Sequence, residues 1–221
     1  VLHNIVDKIF VITTVASKRF GYIDNHLKSN GIKFEYVIAP ETSFIDSSIS
    51  VSGGFHKPNI SLVSAYVSIL ENARISGYES VAVIEDDCFF AKNWEESLSL
   101  FLANLPNEWD ILNLGYHPSQ LATGVRIPVN EYVIRPSTDY FTTHCMVFKK
   151  RSFQPIIDAV HNSVYNKAID HITIELYQNP EFNCFAPVKH FAYQLSVRQS
   201  PYYEIPEDPS RFPSLLFQYG L

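Results

Sequence analysis

The chain has 221 residues, 46% of them hydrophobic and 14% aromatic, enough to build a full core and well outside the composition of a disordered chain. Its net charge of -6 argues against a nucleic-acid binder and against a polybasic grip on membranes. Three cysteines, Cys88, Cys145 and Cys184, are odd in number and form no CxxC pair, which fits a reducing compartment without structural zinc.

The pattern alternates strand and helix. Lys8 to Thr14 reads as a buried strand, followed by a helix through Lys18 to Ser29 that stops at Asn30-Gly31. The first apolar run, Ile5 to Ala16, is broken by Asp7 and Lys8 and is too short to span a bilayer, so no transmembrane segment is expected. The chain begins at Val1, which fits a processed or excised fragment. Ile32 to Ala39 reads as a second strand. Pro40 to Pro58 is a polar loop carrying Ser43, Ser47, Ser48, Ser50, Ser52 and the pair Gly53-Gly54. Asn59 is placed to cap a helix reaching about Ser76, with Leu62, Tyr66, Ile69, Leu70 and Ala73 on one buried face.

Gly77 ends that helix. Val81 to Ile84 then reads as a buried strand, and three carboxylates, Glu85, Asp86 and Asp87, stand at its carboxyl end. Asn93 to Asn104 is a further helix and Asp110 to Leu114 a short strand, giving βαβαβαβ and predicting a mostly parallel sheet covered on both faces. Beyond Tyr116 the order is less regular. A loop holds His117, Gly124 and Arg126, Tyr140 to Lys149 reads as a strand, and Arg151 to Val160 as a helix with Pro155 in its first turn. Ile169 to Tyr177 is a short helix, Cys184 to Val197 has strand-like segments, and the tail from Ser200 is proline-rich. The reading is one α/β domain, with a nucleotide-type half over residues 1–115 and a more variable half over 116–221.

A buried strand gains nothing by ending in like charges unless something positive sits there. Ligands of open α/β sheets bind at the carboxyl ends of the strands, and a hard divalent cation is the simplest partner for clustered oxygens. Alternate residues of an extended chain point the same way, so Glu85 and Asp87 share a face and Asp86 points to the other. The residues alone therefore predict a metal-assisted, phosphate-handling enzyme. No P-loop motif, GxGxxG or HExxH spacing is present to favour a kinase, a dinucleotide enzyme or a zinc protease.

The order of these segments resembles glycosyltransferase family 25, the lipopolysaccharide and collagen galactosyltransferases. The resemblance rests on Phe10-Val11-Ile12 followed by Arg19, on Ile84 to Asp87 as the I-x-E-D-D strand, on Trp109 to Gly115, on Thr143 to Lys150 and on Ala168-Ile169-Asp170. The chain departs from that family at Thr13, where the family has asparagine, and at Ala65, where a histidine accompanies the serine retained at Ser64.

The resemblance implies a GT-A fold, a Mn²⁺ or Mg²⁺ cofactor, a UDP-hexose donor and a glycan acceptor. Asp87 becomes the metal ligand. Glu85 becomes a second ligand, through a bound water, or a contact to the nucleotide ribose. Asp86 faces the sugar or anchors the loop. Thr13, Thr14 and Arg19 lie where a nucleotide would be held, with Ala39 and Glu41 flooring the base pocket and Ser64 one turn into its helix. Asp170 is the candidate base for an inverting transfer, and equally a candidate helix cap. His190 is the late histidine that would complete the metal shell, whereas His144 reads as a core or site-edge residue. Tyr116, Tyr132, Tyr140, Phe141, Tyr165 and Tyr193 offer aromatic faces for an acceptor sugar or simply core. Such enzymes work on bacterial or viral glycans, so the expected location is the cytoplasm of a bacterium or of a virus's host, with any membrane association supplied by a partner. Oligomeric state is left open. The rival readings are a metal-dependent nucleotidyltransferase or phosphoesterase, and a non-catalytic glycan-binding relative.

Overall fold

The structure, a computed structural model, describes residues 1–41, 57–115, 127–137, 142–163, 165 and 167–194. The serine-rich loop with Gly53-Gly54, the residues Tyr116, His117, Gly124, Arg126, Tyr140 and Phe141, and the tail from Ser200 lie outside them.

Two apolar runs make the sheet's centre. β1 (Lys8–Thr13) is buried at every residue after Lys8, and β3 (Ser80–Glu85) is buried through Ile84. Strands with no polar alternation must be covered on both faces, and here they are. On one face, α1 (Phe20–Ser29) and α3 (Trp94–Ala103) bring Ile23, Leu27, Leu98 and Phe101 onto Ile9, Val11, Ala82 and Ile84. On the other, α2 (Lys57–Ile75), α4 (Lys150–Asn162) and α5 (Ile169–Gln178) bring Tyr66, Leu70, Phe153, Ile156 and Ile172 onto Phe10, Val81, Val83 and Ile111.

The remaining strands are β2 (Glu35–Ile38), β4 (Cys88–Phe90), β5 (Ile111–Asn113), β6 (Ile127–Pro128), β7 (Val133–Arg135), β8 (Cys145–Lys149), β9 (Cys184–Pro187) and β10 (Ala192–Gln194). Among the described residues, the main sheet has eight strands in the order β2-β1-β3-β8-β5-β9-β7-β6. The pairings give β2, β1, β3, β5, β9 and β6 one direction, and β8 and β7 the other. The α/β class and mostly parallel sheet read from the sequence are thus the observed fold. β8 is the difference. It lies antiparallel between β3 and β5, pairing Met146 with both Val83 and Asn113. Strands from both sides of residue 115 therefore share one sheet.

A two-stranded ribbon, β4 with β10, was not legible in the sequence, because three residues on each side give no period. α2 starts at Lys57, so Asn59 lies inside it rather than capping it, and Pro155 falls in the second turn of α4 rather than the first. Gly77 closes α2 at φ +72, a conformation glycine adopts without steric cost. No helix among the described residues is long and apolar enough to cross a membrane.

Candidate functional site

The carboxyl ends of β1, β2 and β3 open onto one cleft of about 500 Å³, as the rule for open α/β sheets requires. Thr13, Thr14 and Arg19 reach it from β1 and the turn after it, Ala39 and Glu41 from the end of β2, and Glu85, Asp86 and Asp87 from β3. The structure therefore brings together eight of the positions named from the sequence. Ser64, Asp170 and His190 are not among the residues lining this cleft.

Asp86 is the most constrained of the three carboxylates. Its Oδ2 accepts hydrogen bonds from the Thr13 hydroxyl at 2.7 Å and the Ser17 hydroxyl at 2.6 Å. Its Oδ1 receives Arg19 Nε at 2.9 Å and Nη2 at 2.7 Å. A carboxylate so committed has no oxygen left for a substrate. Of the roles expected of Asp86, the geometry matches the loop anchor, a staple tying the β1–α1 turn to β3, rather than the catalytic or nucleotide contact. Thr13 and Arg19 are drawn into the same staple, although Arg19 still places Nη1 3.9 Å from Asp87.

Glu85 and Asp87 behave differently. Glu85 Oε1 accepts from the Thr143 hydroxyl at 2.7 Å and the Tyr66 phenol at 3.2 Å. Asp87 Oδ2 accepts from Gln194 Nε2 at 3.1 Å, while its Oδ1 is buried without a hydrogen-bond partner. Burial pushes the Glu85 carboxyl up to about 8, with the neighbouring Asp87 charge adding to the effect. Burial also raises Asp87, against the pull of Arg19. Arg19 supplies one positive charge for three carboxylates.

Such a pair fits a divalent cation. It has two acidic side chains whose charge is poorly compensated, and one orphaned buried oxygen. No group of three or more His, Cys, Asp or Glu side chains is arranged to hold a metal among the described residues. An ion here would take its other ligands from substrate oxygens and water, the habit of Mg²⁺ in phosphate-handling sites.

His190 is the clearest correction. It sits between β9 and β10 and lines a second cleft, of about 360 Å³, packed against α3 and away from the carboxylates. Ser64 turns its hydroxyl back onto the Ile60 carbonyl of its own helix; Ser61 lines the cleft instead and bonds the Pro40 carbonyl. Asp170 lies in the first turn of α5, with Ala168 rather than Asp170 in the cap position, and its Oδ1 accepts the His171 N–H at 2.8 Å. His144 is fully buried, its ring near the Ala192 carbonyl, as a core residue.

Sequence reasoning missed Ser17, Tyr66, Thr143 and Gln194 as partners of the carboxylates. Ser17 could have been found from the polar turn that follows a buried strand. Tyr66 reads as ordinary core, and Gln194 has no signal until β10 pairs with β4.

No protein-family model and no curated protein matches this sequence. Among solved structures, the chain is similar to a glycosyltransferase involved in the glycosylation of the major capsid of PBCV-1, at 10% identity and TM-score 0.48, over 85% of this chain and 93% of that one. It is similar to A197 from STIV, at 13% identity and TM-score 0.46, over 89% and 90%. It is also similar to the inositol-1-phosphate CTP transferase from T. maritima, at 14% identity and TM-score 0.47, over 96% and 94%. These likenesses concern the fold alone, and the roles of individual residues rest on this chain's own geometry.

Proposed function

We propose that the chain is a metal-dependent glycosyltransferase of the GT-A type that moves a hexose from a UDP-sugar to a glycan acceptor. One observation carries this reading. At the carboxyl end of β3, Glu85 and Asp87 stand together in the cleft with raised carboxyl pKa values and one orphaned oxygen, while Asp86 is neutralised by Arg19.

Asp87 and Glu85 are the residues to hold Mn²⁺ or Mg²⁺. When bound there, the ion offsets the charge that builds on a diphosphate leaving group. The chain's own work is positional. The Asp86 staple fixes the β1–α1 turn, so that Thr14 and the exposed edge of Arg19 line the cleft in a set geometry. Ala39, Ser61 and Leu62 give it a less polar flank suited to a nucleoside. Asp170, at the head of α5, is the candidate to take the acceptor hydroxyl's proton if the anomeric centre inverts.

The test is a thermal-shift panel of UDP-, GDP-, CMP- and dTDP-sugars, with and without Mn²⁺, on the wild type and Asp87→Ala. A ligand that binds only the native state at about 100 times its Kd adds about 2.7 kcal/mol, an expected rise of roughly 5–10 °C for a chain of this size. The shift is expected for one nucleotide class, only with metal, and not in the variant. Absence of any shift with every nucleotide sugar would overturn the reading.

A further inference from the structure

The cleft at the ends of β1, β2 and β3 is lined by four acidic side chains, Glu41, Glu85, Asp86 and Asp87, and by two basic ones, Lys18 and Arg19. A divalent ion held by Glu85 and Asp87 would be largely offset by those two carboxylates. A diphosphate entering the cleft therefore needs a further positive charge from the chain itself.

Arg19 is poorly placed to supply it. Its Nε and Nη2 lie 2.9 and 2.7 Å from Asp86 Oδ1, and its Nη1 lies 3.9 Å from Asp87. Lys18 is the other cation of the cleft. It is exposed, and among the described residues its side chain forms no hydrogen bond or ion pair.

Most exposed lysines are simply solvated, and Lys18 differs in how its backbone is held. The residues on either side of it are both fastened to Asp86, Ser17 through its hydroxyl at 2.6 Å and Arg19 through its guanidinium. The turn is closed further by the Ser17 N–H, which donates to the Thr14 carbonyl at 3.1 Å, and by the Arg19 N–H, which donates to the Ser17 hydroxyl at 3.2 Å. The stem of Lys18 thus starts from a fixed point at the edge of the cleft, next in sequence to the residue nearest Asp87, while its ammonium is uncommitted. A fixed origin reduces what must be ordered on binding, and an ammonium is a compact charge with three donors, well matched to phosphate oxygens.

We propose that Lys18 binds the diphosphate of the nucleotide donor, its ammonium donating hydrogen bonds to phosphate oxygens. The inference rests on the glycosyltransferase reading and gives the phosphate contact to the uncommitted lysine rather than to its neighbour Arg19.

The experiment titrates the wild type, Lys18→Gln and Lys18→Arg in the presence of Mn²⁺, with UDP by calorimetry and with uridine by ligand-observed nuclear magnetic resonance, which reads weak binding. Lys18→Gln should bind UDP roughly 5- to 10-fold more weakly than the wild type, and uridine within about twofold of it. Lys18→Arg keeps the charge and should bind UDP within about threefold of the wild type. Equal affinity of Lys18→Gln and the wild type for UDP would overturn the role of Lys18 alone. Equal losses for UDP and uridine would overturn it too, because a distorted cleft weakens both. A wild type that binds neither UDP nor uridine would overturn the function on which the inference rests, and the inference with it.

Discussion

Arg19 shows how one side chain can matter more for folding than for chemistry. Its guanidinium sits on Asp86, whose side chain is only 7% exposed, and removing one partner of a buried pair leaves an uncompensated charge. Arg19→Leu is expected to cost about 3 kcal/mol in urea unfolding, and adding Asp86→Asn should recover most of it. Equal stability of Arg19→Leu and the wild type would show that the two hydroxyls of Thr13 and Ser17 suffice. Gln194 is the counterpart on the functional side. By binding Asp87 Oδ2 it fixes the orientation of the carboxyl, and outer partners of metal ligands are typically worth 10- to 100-fold in affinity. Gln194→Leu should weaken Mn²⁺ binding by roughly 10-fold or more in an electron paramagnetic resonance titration. An unchanged affinity would mean Asp87 needs no help to hold its orientation.

Between elements, the contacts that matter join α1 to the ribbon and β5 to β10. His26, in the last turn of α1, packs among Tyr22, Phe89 and Phe90, and its Nε2 accepts the Phe90 N–H at 2.8 Å. Burial lowers its pKa from 6.5 to about 4. The folded state thus takes up this proton later than the unfolded chain does as pH falls. The stability tied to neutral His26 is complete above pH 6.5 and is lost progressively down to pH 4, by a total of order 3 kcal/mol. Urea midpoints of the wild type and His26→Gln across that window should differ in slope, and parallel curves would remove His26 as the cause. At the other junction, Gly115 bridges to Ala192, where a β-carbon would run into the His144 ring and lie 2.9 Å from the Ala192 carbonyl. Gly115→Ala is expected to cost about 1–3 kcal/mol, read as a lowered melting temperature.

At the scale of the molecule, the sheet is assembled out of chain order. β8 fills the gap between β3 and β5, so residues 1–115 alone would leave β3 and β5 without the strand that pairs them. A fragment of residues 1–115 is expected to lack a cooperative thermal transition by near-ultraviolet circular dichroism. A sharp melt would show that the first half is a folding unit in its own right.

The sequence by itself determined the continuous apolar strands β1 and β3, the amphipathic α2, and the placing of three carboxylates where a buried strand meets solvent. Those are local facts, because burial on both faces and the two-residue period of a strand are written in neighbouring residues. The period stops at Glu85, however: Asp86 and Asp87 form the turn after β3, and all three carboxylates line the cleft instead of alternating between faces. Tertiary structure decided what each carboxylate became. Asp86 is a staple because Thr13, Ser17 and Arg19 arrive from at least 67 positions away. Gln194 and Tyr66 join the site, and His190 leaves it, through strand pairing and helix packing. Partners so distant in sequence carry no spacing for a reader to find; only the closing of the sheet brings them within a hydrogen bond of β3.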